Sequence, residues 1–95
     1  MNKTDLAEQI AEKHNMSVAT ATAIINSVFE AITRSLANDD DVRFNGFGTF
    51  EVKYAEERAG INPKTGEPLT ISARNKVTFH AGDALKKAVN PLSGD

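Results

Sequence analysis

The stretch that decides the fold is "RAGINPKTGEPLTI", residues 58–71, because it joins two segments that both alternate like strands. These segments are "FEVKY" (50–54) and "LTISARNKVTF" (69–79). Two residues can reverse a strand, so this connector is far longer than a hairpin needs. Its centre, "NPKTG" (62–66), consists mostly of turn-forming residues. The residues allow either a flexible loop or a projecting two-stranded ribbon, which would be marginally stable until it contacted a partner.

Two helices are predicted before the strands. In "NKTDLAEQIAEKHN" (2–15) apolar residues recur at three- and four-residue spacing, and Asn2 is a suitable N-cap. Ser17 is the predicted cap of a second, longer helix, which "NDDD" (38–41) ends. The second helix carries a wide apolar stripe of about four turns. Its members are Ala21, Ile24, Ile25, Val28, Phe29, Ile32 and Leu36.

The width of this stripe favours contact with a second subunit. One chain of 95 residues offers few partners for so wide a face, since small chains bury a lower share of their surface. A core helix buried within one chain is the alternative. The sequence contains no cysteine, and small chains without disulfides often gain stability by oligomerising.

The strand pattern predicts an antiparallel sheet. Val42 and Phe44 alternate before an Asn-Gly hairpin signal at residues 45–46. The apolar positions that alternate beyond it are Phe50, Val52 and Tyr54, and then Leu69, Ile71, Ala73, Val77 and Phe79.

Gly82 introduces a short last helix, "DALKKAV" (83–89), and a frayed tail is expected from Pro91. The predicted fold is therefore α+β: two N-terminal helices, a three-stranded antiparallel sheet with a protruding β-ribbon, and a short C-terminal helix.

Composition indicates one globular domain in the cytoplasm. The chain is 40% hydrophobic and 25% charged, which is ordinary for a soluble protein. No run approaches the roughly 20 apolar residues of a membrane helix. The first residues are charged, unlike a signal peptide, and the lack of cysteine argues against a disulfide-stapled secreted scaffold.

The charge is unevenly distributed along the chain. The net charge is −2, which taken alone argues against a nucleic-acid binder. Residues 1–41 carry three basic and seven acidic side chains, a net −4, whereas residues 42–95 carry eight basic and six acidic ones, a net +2. The basic charge is therefore concentrated in the half that contains the long connector.

Nothing in the sequence predicts an enzyme. His14 lies near a helix C-terminus, where the helix dipole favours positive charge. His80 ends a strand. It is either a surface residue without a specific role or a hydrogen-bond donor to a phosphate. No metal-ligand spacing, Gly-rich phosphate loop or nucleophile elbow is present. We therefore expect no cofactor, no metal and no small-molecule substrate.

The connector and the chain ends carry a family resemblance. The segment "GFGTFEVKYAEERAGINPKTG" (46–66) resembles the signature of the HU/IHF family of bacterial histone-like DNA-binding proteins. "MNKTDLAEQIAEK" (1–13) is similar to the opening of that family, and "VTFHAGDALKKAVN" (77–90) to its strand-to-helix ending. The resemblance covers nearly the whole chain and is strongest to HU.

The resemblance implies an intertwined dimer, a homodimer with a heterodimer as the alternative. One β-arm of each subunit would wrap the minor groove of double-stranded DNA, largely without sequence specificity, and favour bent or nicked forms. HU and IHF are themselves examples of architectural proteins that kink DNA with apolar wedges. The single domain, residues 1–95, would consist of a body (1–53 and 76–91) and a DNA-binding arm (about 54–75). Nucleoid association in the cytoplasm follows.

The resemblance also implies roles for individual residues. Pro63 matches the wedge, and Phe47, Phe50 and Phe79 match core aromatics. The implied DNA-binding positions lie in three regions: the arm, the sheet surface at the base of the arm, and the ends of the body that would contact the flanks of the duplex. In chain order they are Lys3, Lys53, Arg58, Gly60, Ile61, Asn62, Pro63, Lys64, Arg74, Lys76, Lys86 and Lys87.

The chain departs from the family pattern at two positions and in net charge. Ile61 stands where most members have a basic residue, Asp83 stands where a lysine or neutral residue is common, and the chain is acidic overall. Ile61 is either a loss of a phosphate contact or an apolar addition to the wedge. Two rival functions remain open, namely an IHF-type subunit with sequence preference and a dimeric interaction protein with weakened DNA binding.

Overall fold

Both predicted N-caps begin helices in the computed structural model, which describes residues 1–91. Helix α1 spans Lys3–His14; Asn2 Oδ1 accepts the Asp5 N–H at 2.9 Å, and the Asp5 carboxylate accepts the Asn2 N–H at 3.3 Å. This reciprocal capping satisfies two N–H groups that a helix start leaves unpaired. Helix α2 spans Val18–Ala37, and Ser17 Oγ accepts the Thr20 N–H at 3.0 Å.

Five strands follow, in two sheets. The strands are β1 (Val42–Phe44), β2 (Gly48–Ala55), β3 (Arg58–Ile61), β4 (Pro68–Ile71) and β5 (Arg74–Ala81). The main sheet has the order β1-β2-β5, and all of its neighbours are antiparallel. Strands β3 and β4 pair only with each other and form a two-stranded ribbon, residues 58–71. Helix α3 (Asp83–Val89) completes the α+β fold that the sequence predicts.

The prediction that the long connector forms a two-stranded ribbon is confirmed. The alternating segment at residues 69–79, however, is not one strand. It divides into β4 and β5, and Ser72 and Ala73 lie outside both. On the opposite side Glu56 and Glu57 separate β2 from β3. The ribbon is thus joined to the sheet by two residues on each side, and sheet pairing reaches as far as Ala55 opposite Arg74.

The Asn-Gly hairpin is also confirmed, with one difference in its turn. Three residues connect β1 to β2, and the Phe47 N–H donates to the Phe44 carbonyl at 3.0 Å. Gly46 takes φ +82°, whereas Asn45 does not have positive φ. Positive φ at the third residue alone is typical of a type II turn, which requires glycine there.

Helix α3 docks on this turn. The Gly82 N–H donates to the Phe47 carbonyl at 2.8 Å, and the Leu85 N–H donates to the Gly46 carbonyl at 3.2 Å. Two amides at the start of the helix are thereby paired with turn carbonyls. The frayed tail predicted after Pro91 lies outside the described residues.

The buried core of one chain is small. It lies between α1 and α2 and consists of Ala7, Ala11, Ala21 and Ile25. No large side chain in residues 1–91 is fully buried. The three aromatics expected in the core do cluster, with ring centroids 4.9 Å apart for Phe50–Phe79 and 5.8 Å apart for Phe47–Phe79. Phe47 nevertheless remains 52% exposed.

Two apolar surfaces of the chain are left uncovered. On α2, the half-exposed residues are Val18, Ile24, Val28 and Phe29; on the sheet and its turn they are Phe44, Phe47, Val77 and Phe79. The radius of gyration is 18.9 Å, whereas a compact chain of this length has about 12 Å. A single chain therefore leaves the wide apolar face of α2 partly exposed, and the predicted contact with a second subunit would bury it.

No single helix among the described residues is long and apolar enough to cross a membrane. Only α1 and α2 taken together have that length and composition, and they are bent by 116° where they meet.

We expect Phe29→Asp to unfold the protein. Phe29 is half-exposed in one chain, and a second subunit that covered it would leave the new carboxylate unpaired in an apolar contact, which costs several kcal/mol. Circular dichroism should show loss of helical signal. Ser27→Asp is the control, because Ser27 lies on the polar side of the same helix. A folded, soluble Phe29→Asp monomer in analytical ultracentrifugation would contradict the dimer.

Candidate nucleic-acid interface

The tip of the ribbon is a closed turn with an exposed proline. The Asn62 N–H donates to the Glu67 carbonyl at 2.9 Å, and the Gly66 N–H donates to the Asn62 carbonyl at 2.7 Å. Asn62 Oδ1 also accepts the Lys64 N–H at 2.9 Å. The side-chain oxygen of Asn62 therefore organises the turn, while Pro63 and Lys64 lie exposed between its two ends.

Gly60 lies beneath two apolar side chains of the opposite strand. A Cβ atom there would be 3.0 Å from Ile71 Cδ1 and 3.2 Å from Leu69 Cδ1, closer than ordinary van der Waals contact. The family resemblance implied a DNA contact at Gly60. The structure adds that a larger residue there would crowd the side chains of Leu69 and Ile71. Because side chains alternate along a strand, Arg58 is expected on the same face of the ribbon as Leu69 and Ile71.

Ile61 belongs to the opposite face of the ribbon. It pairs directly with Pro68 and is 70% exposed. It precedes Pro63 by two residues, so exposed apolar side chains continue from the tip into β3. Within residues 1–91, the exposure of this side chain gives no packing reason for an isoleucine.

Three basic side chains meet where the ribbon joins the sheet. Arg58, Arg74 and Lys76 line a depression of about 300 Å³, together with Glu56 and Ser72. Arginine and lysine concentrated in one concavity form an anion-binding surface, with Glu56 as the opposing charge.

The adjacent pairing brings two lysines face to face. Lys53 lies directly opposite Lys76 in the β2–β5 ladder, and both are exposed. Like charges at directly opposite positions destabilise an antiparallel sheet. Binding of an anion such as a phosphate would relieve this repulsion.

The flanking lysines are separate from this basic cluster. Lys3 Nζ donates to Asn26 Oδ1 of α2 at 2.8 Å, which fixes it on the helical side of the molecule. Lys86 and Lys87 lie in the last turn of α3. Positive charge is favoured at a helix C-terminus, so these two residues stabilise α3 in addition to any role in binding.

Comparison with known proteins agrees with the motif resemblance. The model of the family described as "Bacterial DNA-binding protein" matches residues 1–90. The chain belongs to this family, the HU/IHF proteins. It is 46% identical to DNA-binding protein HU of Xylella fastidiosa, over 99% of this chain and 100% of that protein. It is 48% identical to DNA-binding protein HU-alpha of Escherichia coli, over 94% of this chain and 99% of that protein.

Among solved structures, the Anabaena HU–DNA cocrystal structure has the same fold. Its TM-score is 0.87 at 35% identity, over 96% of this chain and 99% of that chain. The predicted family and the α+β fold are therefore confirmed. The roles of individual residues stay predictions.

One pair on the sheet of this HU/IHF chain was missed by sequence reasoning. His80 Nε2 lies 2.5 Å from Glu51 Oε1, within hydrogen-bonding distance. The two residues are on different strands and not directly opposite: Thr49 faces His80, and Thr78 faces Glu51. The register of β2 on β5 would have revealed the pair, but residue spacing alone does not specify it.

We expect Lys76→Gln to raise the free energy of unfolding by a few tenths of a kcal/mol at low salt, because it removes the repulsion from Lys53. Urea unfolding at fixed protein concentration measures the effect, which should disappear near 1 M salt, where the screening length is about 3 Å. Lys64→Gln at the ribbon tip is the control and should leave stability unchanged. Equal stability of Lys76→Gln and the unaltered protein at low salt would show that the lysines do not repel appreciably.

Proposed function

We propose that the protein is an architectural DNA-binding protein of the HU type. It binds the minor groove largely without sequence specificity, and it bends and compacts DNA through paired ribbons with a proline wedge. The observation that carries this proposal is the two-stranded ribbon, residues 58–71, with Pro63 exposed at its tip and basic residues at its base. The Anabaena protein of the same fold was crystallised with DNA.

The chemistry of the ribbon suits the minor groove. Arg58 and Lys64 can donate to phosphates or to base acceptors on the groove floor, and those acceptors distinguish base pairs poorly. Contacts of this kind bind many sequences with similar affinity. Pro63 has no backbone N–H, so it can contact base faces without leaving a donor unpaired.

A second subunit is part of the proposal. The exposed apolar surfaces of α2 and of the sheet are areas that one chain leaves uncovered. A dimer would bury them and would present two ribbons to one duplex. We propose a homodimer, with a heterodimer as the alternative.

The remaining predicted contacts divide by location. We propose that residues 54–75 form the arm and that residues 1–53 and 76–91 form the body within one domain. Lys53, Arg74 and Lys76 would hold phosphates at the arm base. Lys3, Lys86 and Lys87 would contact the flanks of a bent duplex, and Gly60, Ile61 and Asn62 would lie along the groove. Such a protein would be nucleoid-associated in the cytoplasm and would not be an enzyme.

There are two alternatives to this function. An IHF-type subunit would prefer particular sequences, and a dimeric interaction protein would bind DNA weakly, which the net charge of −2 favours. The basic depression at the ribbon base disfavours the interaction protein. A mobility-shift titration at low salt, on intact and nicked duplexes of several sequences, separates the three. Absence of binding to every duplex would overturn the proposed function.

Replacing Pro63 should affect bending more than affinity. Unstacking a base step costs on the order of a few kcal/mol, a magnitude known for the class that includes HU and IHF, and a wider contact surface offsets it. We expect Pro63→Ala to reduce the bend measured by energy transfer between duplex ends. Affinity for nicked DNA should fall less than affinity for intact duplex, because the nick already permits the distortion.

Pro68→Ala is the matched control for Pro63, since Pro68 is also exposed but begins strand β4. Protein stability should change little in both variants. Equal loss of affinity on both duplexes with an unchanged bend would show that Pro63 is only a turn residue.

Ile61→Arg should tighten DNA binding at low salt and steepen its salt dependence. Each added phosphate contact increases the slope of log K against log salt by roughly 0.9, so two arms would add close to two units. The expected bend angle is unchanged, because we propose that Ile61 is a lost phosphate contact.

Ile61→Gln tests the same position without charge and should leave the slope unaltered. If Ile61→Arg instead gives an unchanged slope, or weaker binding with a smaller bend, then Ile61 is part of the wedge.

A further inference from the structure

The polar face of the main sheet carries its charges in cross-strand rows. Arg43, Thr49 and His80 form one row, because Thr49 pairs with both of the others. Glu51 and Thr78 form the next row, and Lys53 with Lys76 the row after it. Successive rows are about 7 Å apart, since a residue in an antiparallel strand advances about 3.4 Å. An acidic position thus lies between basic rows on the way to the ribbon.

The opposite face of the sheet is chemically unsuited to DNA phosphates. Phe50 pairs with Phe79, and Val52 pairs with Val77, so that face is apolar. Apolar side chains gain free energy when they are removed from water, and this favours protein contact over contact with phosphates. The polar face is therefore the face of the sheet that suits a duplex held by the ribbons.

His80 and Glu51 are accessible on that face. Their side chains are 49% and 32% exposed, and Nε2 and Oε1 are 2.5 Å apart. Asp41, Arg43 and Thr49 line the same groove, of about 450 Å³. The other charged groups near the pair are Asp83 at the start of α3, which lines an adjoining depression with His80, and Lys53 and Lys76 in the following row.

We propose that the His80–Glu51 pair belongs to the DNA path and couples DNA binding to proton uptake by His80. The proposal rests on the function proposed above. With a neutral imidazole, the pair carries the single negative charge of Glu51 beside the DNA phosphates. With a protonated imidazole the pair is neutral, and the second ring N–H can donate to a phosphate oxygen. Phosphates favour the protonated form, so binding draws a proton onto His80.

The sign of the effect follows by linkage. A complex that binds more protons than its separated components becomes more stable as pH falls. Histidine is the side chain whose charge ordinarily changes between about pH 5 and pH 8. DNA affinity should therefore rise as pH falls from about 7.5 to about 6, at constant ionic strength.

The expected size is modest. A unit charge about 7 Å from a phosphate in water, counted once in each subunit of the proposed dimer, corresponds to about sevenfold in affinity. Titration calorimetry in two buffers of different ionisation enthalpy would measure the accompanying proton uptake. The same duplex and salt concentration should be used at both pH values.

The chain contains a matched control for this experiment. His14, in the last turn of α1, is its only other histidine. His14→Gln should keep both the pH dependence and the proton uptake, whereas His80→Gln should lose most of both. Glu51→Gln should bind more tightly than the unaltered protein at about pH 7.5, because the negative charge is removed. Circular dichroism and ultracentrifugation would check that all variants fold and associate alike.

The results of these experiments test the proton coupling separately from the proposed DNA-binding function. DNA binding that is independent of pH, or that keeps its pH dependence in His80→Gln, would overturn the inference alone. Failure of the unaltered protein to bind any duplex at either pH would overturn both.

Discussion

The antiparallel pairing of β2 with β5 is the interaction on which the rest of the molecule depends. It runs through eight residue pairs, from Gly48 opposite Ala81 to Ala55 opposite Arg74. Because side chains alternate along each strand, this one register gives the sheet an apolar face and a charged face. A slip of one residue would exchange them. The same ladder also fixes where the ribbon leaves the sheet, since only two residues separate β2 from β3 and β4 from β5.

The charged face of the sheet places like charges close together, and their repulsion lowers the stability of the unbound chain. Lys53 opposes Lys76, and the basic residues at the ribbon base share a depression with Glu56. The facing lysines do not stabilise the unbound chain, because like charges at opposite positions repel, and the depression holds three basic groups for one acidic group. Both become favourable when an anion is bound. We therefore expect the same positions to lower folding stability slightly and to raise affinity for a polyanion, which is a common relation between stability and function.

The sequence predicted the elements better than the contacts between them. The caps at Asn2 and Ser17, both N-terminal helices, the hairpin and the ribbon all depend on local spacing, and the structure confirms them. The division of the run at 69–79 was missed, because an alternating pattern continues through Ser72 and Ala73 although their pairing stops. The His80–Glu51 contact and the cover over Gly60 were missed because both require a cross-strand register. Most of the individual DNA contacts came from the family resemblance, and all of them remain predictions.

Net charge is a poor guide to the interface of this chain. Its excess acidic groups lie mostly in residues 1–41, and Asp5, Glu8 and Glu12 line a depression on α1. Helix α1 packs on α2, whereas the ribbon extends from the sheet, and the described chain is 57 Å long. Exposed charges separated by more than about 8 Å are largely screened at physiological ionic strength. The charges that set affinity are therefore those beside the duplex, and on the proposed path the acidic ones include Asp41, Glu51 and Glu56.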